Sequence, residues 1–453
     1  MAPRLLIIGL DSVPPHLLFE RYAHVMPFVT ALRQRGRYGP LRSTDPPITV
    51  PAWVSLTSGR TPAELGLYGF RQMPPQGRAL CLPSAADVPH PRLWNLACAA
   101  GLRSAVVSVP LTWPLPAHPH LHMTADFLAP GTDSPWATPP ALQDELHARF
   151  GPYRFDVDHF RHRPPADVAA DVHDFSRQHF AIFRHLLTTR RPHFGMLVDL
   201  GPDRFHHALL SQMRGDALDP GGKYYALLDA EIAQTAALAG PETLLMLVSD
   251  HGVKPLQGVC YLNEWLWQAG YLVLHAPPRR PTPLSKADVD WARTRAWAEG
   301  GYHGRIYLNT PARSPQSRLR PADAAATLAA LHRDLAALPL RDGTTLHNRV
   351  FTASELYGPD FVGQPPDLTV YCDDLNLRAN ATLGTGTLLG RTNDTGADDA
   401  NHDHRGIYLL VHPKGPSLSH LSPLGELPIT EIFHLGCAAL GLSDAPSPLA
   451  GRP

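Results

Sequence analysis

This 453-residue chain is poor in the features that staple, anchor or target a protein. It has five cysteines, at positions 81, 98, 260, 372 and 437. The number is odd and no pair has C-x-x-C spacing, so neither a disulfide framework nor a cysteine metal site is implied. Cys98 and Cys437 lie in apolar stretches and read as core packing. Charge of one sign is also missing: 40 Lys and Arg against 41 Asp and Glu leave a net −1. That balance provides no basic field for nucleic acid or an acidic membrane surface. No apolar run reaches the ~20 residues of a membrane span, and the first, Leu5 to Leu10, is too short for a signal-peptide core. There is no internal repeat, heptad run or low-complexity tract. The expectation is a soluble cytoplasmic protein acting on a small molecule, with its oligomeric state left open.

Core-forming residues are plentiful. Hydrophobic residues make up 44% of the chain and charged residues 18%, ample for a large interior. The 48 prolines are spread through loops, around 114–119 and 277–283 for example, and read as stiff surface connections. A single α/β domain over 1–453 is expected, with a loop-rich insertion near 115–165 and a cap-like one near 261–355.

Three apolar runs have the pattern of strands buried on both faces, and each leads into polar chemistry. Leu244 to Val248 leads to Ser249-Asp250-His251-Gly252, Leu5 to Leu10 to Asp11, and His193 to Asp199 to Gly201-Pro202-Asp203-Arg204-Phe205-His206-His207. Ligands of open α/β sheets gather at the carboxyl ends of strands. Asp250 and His251 form a mixed O/N pair suited to a divalent ion, zinc first. Asp203 and His207 are four apart, so a helical turn puts both on one face while His206 points elsewhere. The blander readings are a capped strand end for Asp250, an N-cap for Asp11 and a surface pair for Asp203 and His207.

Two further stretches add to these. Thr49, in Ile48-Thr49-Val50-Pro51, stands where a helix opening near Pro51 would present free N–H groups to an anion; plain capping is the alternative. Asp398 to Gly406 is a polar run ahead of the strand 407–411 and contains His402 and His404. Asp11, Thr49, Asp203, His207, Asp250, His251 and His402 together make three carboxylates, three imidazoles and one hydroxyl. That number suits two divalent ions, which can clamp an in-line phosphoryl transfer, plus a nucleophile.

The order of these motifs resembles the alkaline phosphatase superfamily, most closely its type I phosphodiesterases, nucleotide pyrophosphatases and predicted phosphohydrolases/phosphomutases. The order is strand plus Asp11, Thr49-x-Pro51, Asp203-x-x-x-His207, Ser249-Asp250-His251-Gly252 and the late His402. Val109 to Pro114, Leu262 to Leu266 and Arg305 to Asn309 also resemble that branch, so the likeness runs from about Leu5 to Gly451.

The resemblance implies an alkaline-phosphatase-like, mostly parallel central sheet flanked by helices. It implies one metal on Asp11, Asp250, His251 and Thr49 and another on Asp203, His207 and His402, zinc being favoured and manganese allowed. Thr49 would form a phosphothreonine intermediate that water then hydrolyses. His402 is favoured over His404 because it lies four residues before Gly406.

Two positions depart from the nucleotide pyrophosphatases: Phe70 stands where an Asn is frequent, and Leu65 where a His is frequent. Thr49-Val50-Pro51-Ala52-Trp53 lacks the nucleophile precursor and Arg of a sulfatase. With Arg60 the first cation after Thr49, and Trp53, Tyr68 and Phe70 as aromatic rim candidates, a phosphodiester is expected over a monoester. A phosphomonoesterase or phosphomutase is the alternative. A non-catalytic phospho-ligand binder is the alternative of another class.

Overall fold

The computed structural model describes residues 2–340, 342–391, 393, 395–420 and 424–442. The end of the motif-bearing stretch, 443–451, therefore lies outside the described residues. The chain groups into two compact units. The first is built from 1–65, 83–253 and 403–453, and the second from 66–82 and 254–402.

The first unit is organised on a nine-stranded sheet. Its strands are β1 (Leu5–Leu10), β2 (Arg37–Arg42), β3 (Ser104–Val107), β4 (Leu121–Thr124), β5 (Ala137–Thr138), β6 (Phe194–Asp199), β7 (Leu244–Val248), β8 (Arg405–Val411) and β9 (Leu427–Pro428). Their order across the sheet is β9-β2-β8-β7-β1-β6-β3-β4-β5. The five central strands, β7 to β4, run parallel, with antiparallel neighbours at β8 and β5. All six residues of β1 are buried, as a strand with helices on both faces requires.

On one face, Trp53 and Leu56 of α1 (Thr49–Ser58), Leu93 and Ala97 of α2 (Leu93–Ala99) and Ile432 of α6 (Glu431–Leu440) share a core with Leu5, Ile7 and Met196. On the other, α3 (Pro165–Arg190) packs on β3 and β6, on α4 (Gly201–Leu209) and on α5 (Pro220–Ala236). Among the described residues, no helix is long and apolar enough to cross a membrane.

Register decides where the polar strand ends meet. Gly9 pairs with Val248 and Leu10 with Asp199. Asp11 and Asp250, each two residues past the Gly9–Val248 pair, are therefore level at one sheet edge. Val248 also pairs with Tyr408 of the antiparallel β8, so β8 begins at that same edge and the chain arrives there through His402, Asp403 and His404.

Within 115–165, where a loop-rich insertion is expected, β4, β5 and a helix at Ala141–Phe150 are found. Strands of four and two residues are too short to show a period. The second unit has a four-stranded antiparallel sheet of Ala296–Glu299, Gly304–Leu308, Leu368–Tyr371 and Arg349–Thr352. With the helices Leu262–Gln268 and Pro321–Ala336 it encloses Trp297, Ile306 and Leu331. This unit runs past both ends of the expected 261–355 segment and takes in 66–82 as well.

Gly9 is where the sheet meets α1. A Cβ there would lie 2.3 Å from the Trp53 ring. Overpacking of this kind costs about 1–3 kcal/mol, so Gly9→Ala should lower the urea midpoint by that much stability. A midpoint equal to wild type would show that the Trp53 ring has room to yield.

Candidate active site

β1 ends at Leu10, and Asp11 and Ser12 follow at the sheet edge, both fully buried. Ser12 takes a left-handed conformation, φ 66°, uncommon for a non-glycine residue. Its N–H donates to Asp250 Oδ1 at 3.2 Å. Ser249 Oγ accepts from Val13 N at 2.8 Å and donates to the His251 carbonyl at 2.7 Å. The turns after β1 and β7 are thus tied together.

His251 makes the central contacts. Its Nδ1 is 2.9 Å from the Gly252 carbonyl. A carbonyl only accepts, so Nδ1 carries the proton and Nε2 presents a lone pair. Burial holds the imidazole neutral by pushing its pKa down to about 4. Nε2 lies 3.3 Å from Asp250 Oδ2, 3.5 Å from Asp11 Oδ1 and 3.3 Å from Thr49 Oγ1. Asp11 Oδ1 and Asp250 Oδ2 are buried and have no hydrogen-bond partner among the described residues. The donor atoms of Asp11, Asp250 and His251 all lie within 4.8 Å of one another.

Two carboxylates facing a lone pair in a dry site are costly without a positive charge between them. Burial is the main cause that holds both carboxyls well above the usual range; Asp203 then adds to Asp11, and Asp11 to Asp250. The donor set, two carboxylate oxygens, a neutral imidazole and a hydroxyl, fits a divalent cation.

Asp203 and His207 stand in successive turns of α4, with Oδ1 and Nε2 3.3 Å apart. Both act electrostatically on Asp11, so the pair lies near the first set. His206 is turned away, its Nε2 3.1 Å from the Tyr225 hydroxyl. His402 is the last residue of the second unit and is joined covalently to Asp403, where the first unit resumes. It is buried and stacks on Tyr302, with ring centroids 3.8 Å apart. His404 Nδ1 is 3.5 Å from Asp45 Oδ1.

Other groups that matter here were not foreseen from the sequence. Trp53 is fully buried, and its indole N–H donates to Asp11 Oδ2 at 2.7 Å. It is therefore no rim residue: a full turn after Thr49 on α1, it faces the same carboxylate cluster and fixes Asp11. That i, i+4 spacing was the available signal. Arg204 donates to Asp203 Oδ2 at 2.6 Å and forks onto Asp156 at 2.6 and 2.8 Å. A lone arginine inside the Asp203–His207 spacing carries no sequence signature of its own. Tyr68 is buried, with its hydroxyl donating to the Val362 carbonyl at 2.6 Å, whereas Phe70 is half-exposed. Arg60 is held by Glu64 at 2.9 Å on the surface.

A parallel sheet with acids, imidazoles and a helix-borne hydroxyl collected at its strand ends is the layout of an α/β protein with its polar site at the sheet edge. The family model for type I phosphodiesterase / nucleotide pyrophosphatase matches residues 5–382, and the chain belongs to that family. Phosphonoacetate hydrolase from Sinorhizobium meliloti 1021, solved with phosphonoformate, has a TM-score of 0.63 at 17% identity, covering 97% of this chain and 96% of its own. Murine ectonucleotide pyrophosphatase/phosphodiesterase 5, solved as an inactive variant with AMP, has a TM-score of 0.56 at 13% identity, covering 98% and 96%. These likenesses establish an alkaline-phosphatase-like fold. No curated protein matches the chain by sequence.

The electrostatics of the cluster predict opposite effects of one substitution. Asp11→Asn removes a buried negative charge, so in excess chelator the variant should melt above wild type. With saturating zinc the order should reverse if Asp11 is one of the ion's ligands. A variant that melts below wild type in both conditions would mean that Asp11 serves structure alone.

Proposed function

We propose that this protein is a metal-dependent phosphoester hydrolase in which Thr49 is the nucleophile, with diesters preferred to monoesters. The observation that carries the reading is the convergence of Thr49 Oγ1, His251 Nε2, Asp11 Oδ1 and Asp250 Oδ2. Asp11, Asp250, His251 and Thr49 would hold one divalent ion, and Asp203, His207 and His402 a second. Zinc suits this O/N set best, and manganese is the alternative. Such ions supply positive charge to phosphoryl oxygens and ease loss of the hydroxyl proton. The chain would be a single alkaline-phosphatase-like catalytic domain over 1–453, with insertions near 115–165 and 261–355.

The chain's own groups have defined tasks in this scheme. Thr49 is the first residue of α1, and the first backbone bond to close that turn runs from Ala52 N to Ile48 O at 3.0 Å. The N–H groups of Thr49 and Val50 thus belong to the open end of the helix, where an anion is favoured. Thr49 Oγ1 attacks phosphorus, the bond from phosphorus to the leaving oxygen breaks, and the leaving group takes up a proton. Water then cleaves the phosphothreonine to release phosphate or a phosphomonoester and restore the hydroxyl. Trp53 and Arg204 keep Asp11 and Asp203 in place.

Thr49→Ala should lower kcat by roughly 10³-fold or more, about 4 kcal/mol, while metal content by elemental analysis stays at two per chain. Thr49→Ser should retain part of the rate. Near-normal turnover by the alanine variant would mean that water attacks phosphorus directly.

The diester preference rests on the charge around Thr49. A monoester brings two negative charges and needs a free cation, but Arg204 already serves both Asp203 and Asp156. With a bis-aryl phosphate and the matching aryl monoester, kcat/KM should favour the diester. A monoester advantage of roughly tenfold, about 1.4 kcal/mol, would make the protein a phosphatase or phosphomutase instead.

A further inference from the structure

The second unit contains a cavity of about 970 Å³, a volume suited to a small organic ligand. Arg71, Arg78, Arg305, Arg313 and Arg378 line it, and Glu299 is the one acid among its described lining residues. Positive charge gathered around a partly enclosed space needs matching negative charge, and the described residues supply only part of it. Arg313 contacts Asp367, and Arg378 Nη1 lies 3.4 Å from Asp398 Oδ2.

Of the other three arginines, Arg305 and Arg78 contact neutral groups. Arg305 donates to the carbonyls of Gly300 at 2.7 Å and Arg71 at 3.4 Å. Arg78 donates to Ser314 Oγ at 2.5 Å and sits 4.0 Å over the Trp291 ring. Among the described residues, Arg71, Arg78 and Arg305 have no carboxylate within the 4.0 Å of an ion pair. Glu299 is attracted by Arg305 and Arg71, yet burial raises its carboxyl above the usual range, which weakens it as a counter-charge. Among the described residues, five arginines thus face Glu299, Asp367 and Asp398, an excess of positive charge.

We propose that this cavity binds an organic molecule carrying at least two phosphate or carboxylate groups. Planar guanidinium groups match such oxyanions with paired hydrogen bonds, and stacking on Trp291 holds the Arg78 fork in one orientation. The cavity wall also reaches a proposed metal ligand. Arg378 lies 5.0 Å from the centroid of the Tyr302 ring on which His402 stacks, and Asn401 Nδ2 donates to the Tyr302 carbonyl at 3.1 Å. The site stands on the second unit alone and does not depend on the hydrolytic reading.

The test titrates the full chain, as purified, with 1,5-naphthalenedisulfonate, a flat dianion whose sulfonates are weak metal ligands. Tryptophan fluorescence and calorimetry follow the binding. One equivalent should bind at least tenfold tighter than 1-naphthalenesulfonate, and raised salt should weaken it. Arg71→Ala and Arg305→Ala, each checked for wild-type melting, should each weaken it at least tenfold. Arg71 is exposed, so its variant keeps the test decisive if Arg305→Ala fails to fold. Displacement by fructose 1,6-bisphosphate or by tricarballylate tells which oxyanion the cavity prefers. No binding, equal affinity for the mono- and disulfonate, unchanged affinity in the folded arginine variants, or displacement by neither competitor would overturn the proposal.

Discussion

Asp11 and Asp250 are two carboxylates at the fully buried edge of a parallel sheet, and both face the lone pair of His251. The arrangement of this region follows from that unfavourable concentration of negative charge. Backbone and side-chain donors meet the outer oxygens: Ser12 N–H on Asp250 Oδ1 and the Trp53 indole on Asp11 Oδ2. The inner oxygens are left pointing at Nε2. A hydrophobic sheet does not keep such a group without a use for it, because each uncompensated buried charge costs several kcal/mol. A divalent cation bound there would turn the cost into affinity.

The sheet brings these groups together through its register. Pairing of Gly9 with Val248 puts two strand ends level, and the parallel neighbour β6 delivers α4, with Asp203 and His207, to the same edge. The antiparallel β8 starts there, so the His402–His404 segment enters from the right side. Thr49 arrives on a helix packed against the sheet through Trp53, and the Trp53 ring fills the space that Gly9 leaves open. Core packing and the position of Thr49 therefore depend on one contact.

Much of this was legible because the strands are long apolar runs that stop abruptly on Asp, His or Gly. Leu5 to Asp11 and Leu244 to Gly252 each show both the buried strand and its polar end. The Asp203–His207 spacing likewise revealed which side chains share a helix face. What stayed hidden has physical causes. β4 and β5 have four and two residues, too few for a period. Trp53 reads as a rim aromatic because the local sequence does not show that its indole points at a carboxylate forty-two positions away. Arg204 and Asp156 form a bidentate pair across a long sequence separation, which no local pattern encodes. The arginine-lined cavity of the second unit was equally invisible, since its members come from 71–78, 305–313 and 378.

Anomalous diffraction at the zinc absorption edge, on crystals of protein purified without chelator, tests whether a cation sits between these carboxylates. A strong anomalous peak is expected, coordinated by Asp11 Oδ1, Asp250 Oδ2 and His251 Nε2, with Thr49 Oγ1 beside it. The same maps at the manganese edge would identify the alternative metal. A fully ordered cluster with no peak at either edge, its carboxylates bonded to protein groups instead, would rule out a metal centre at this sheet edge.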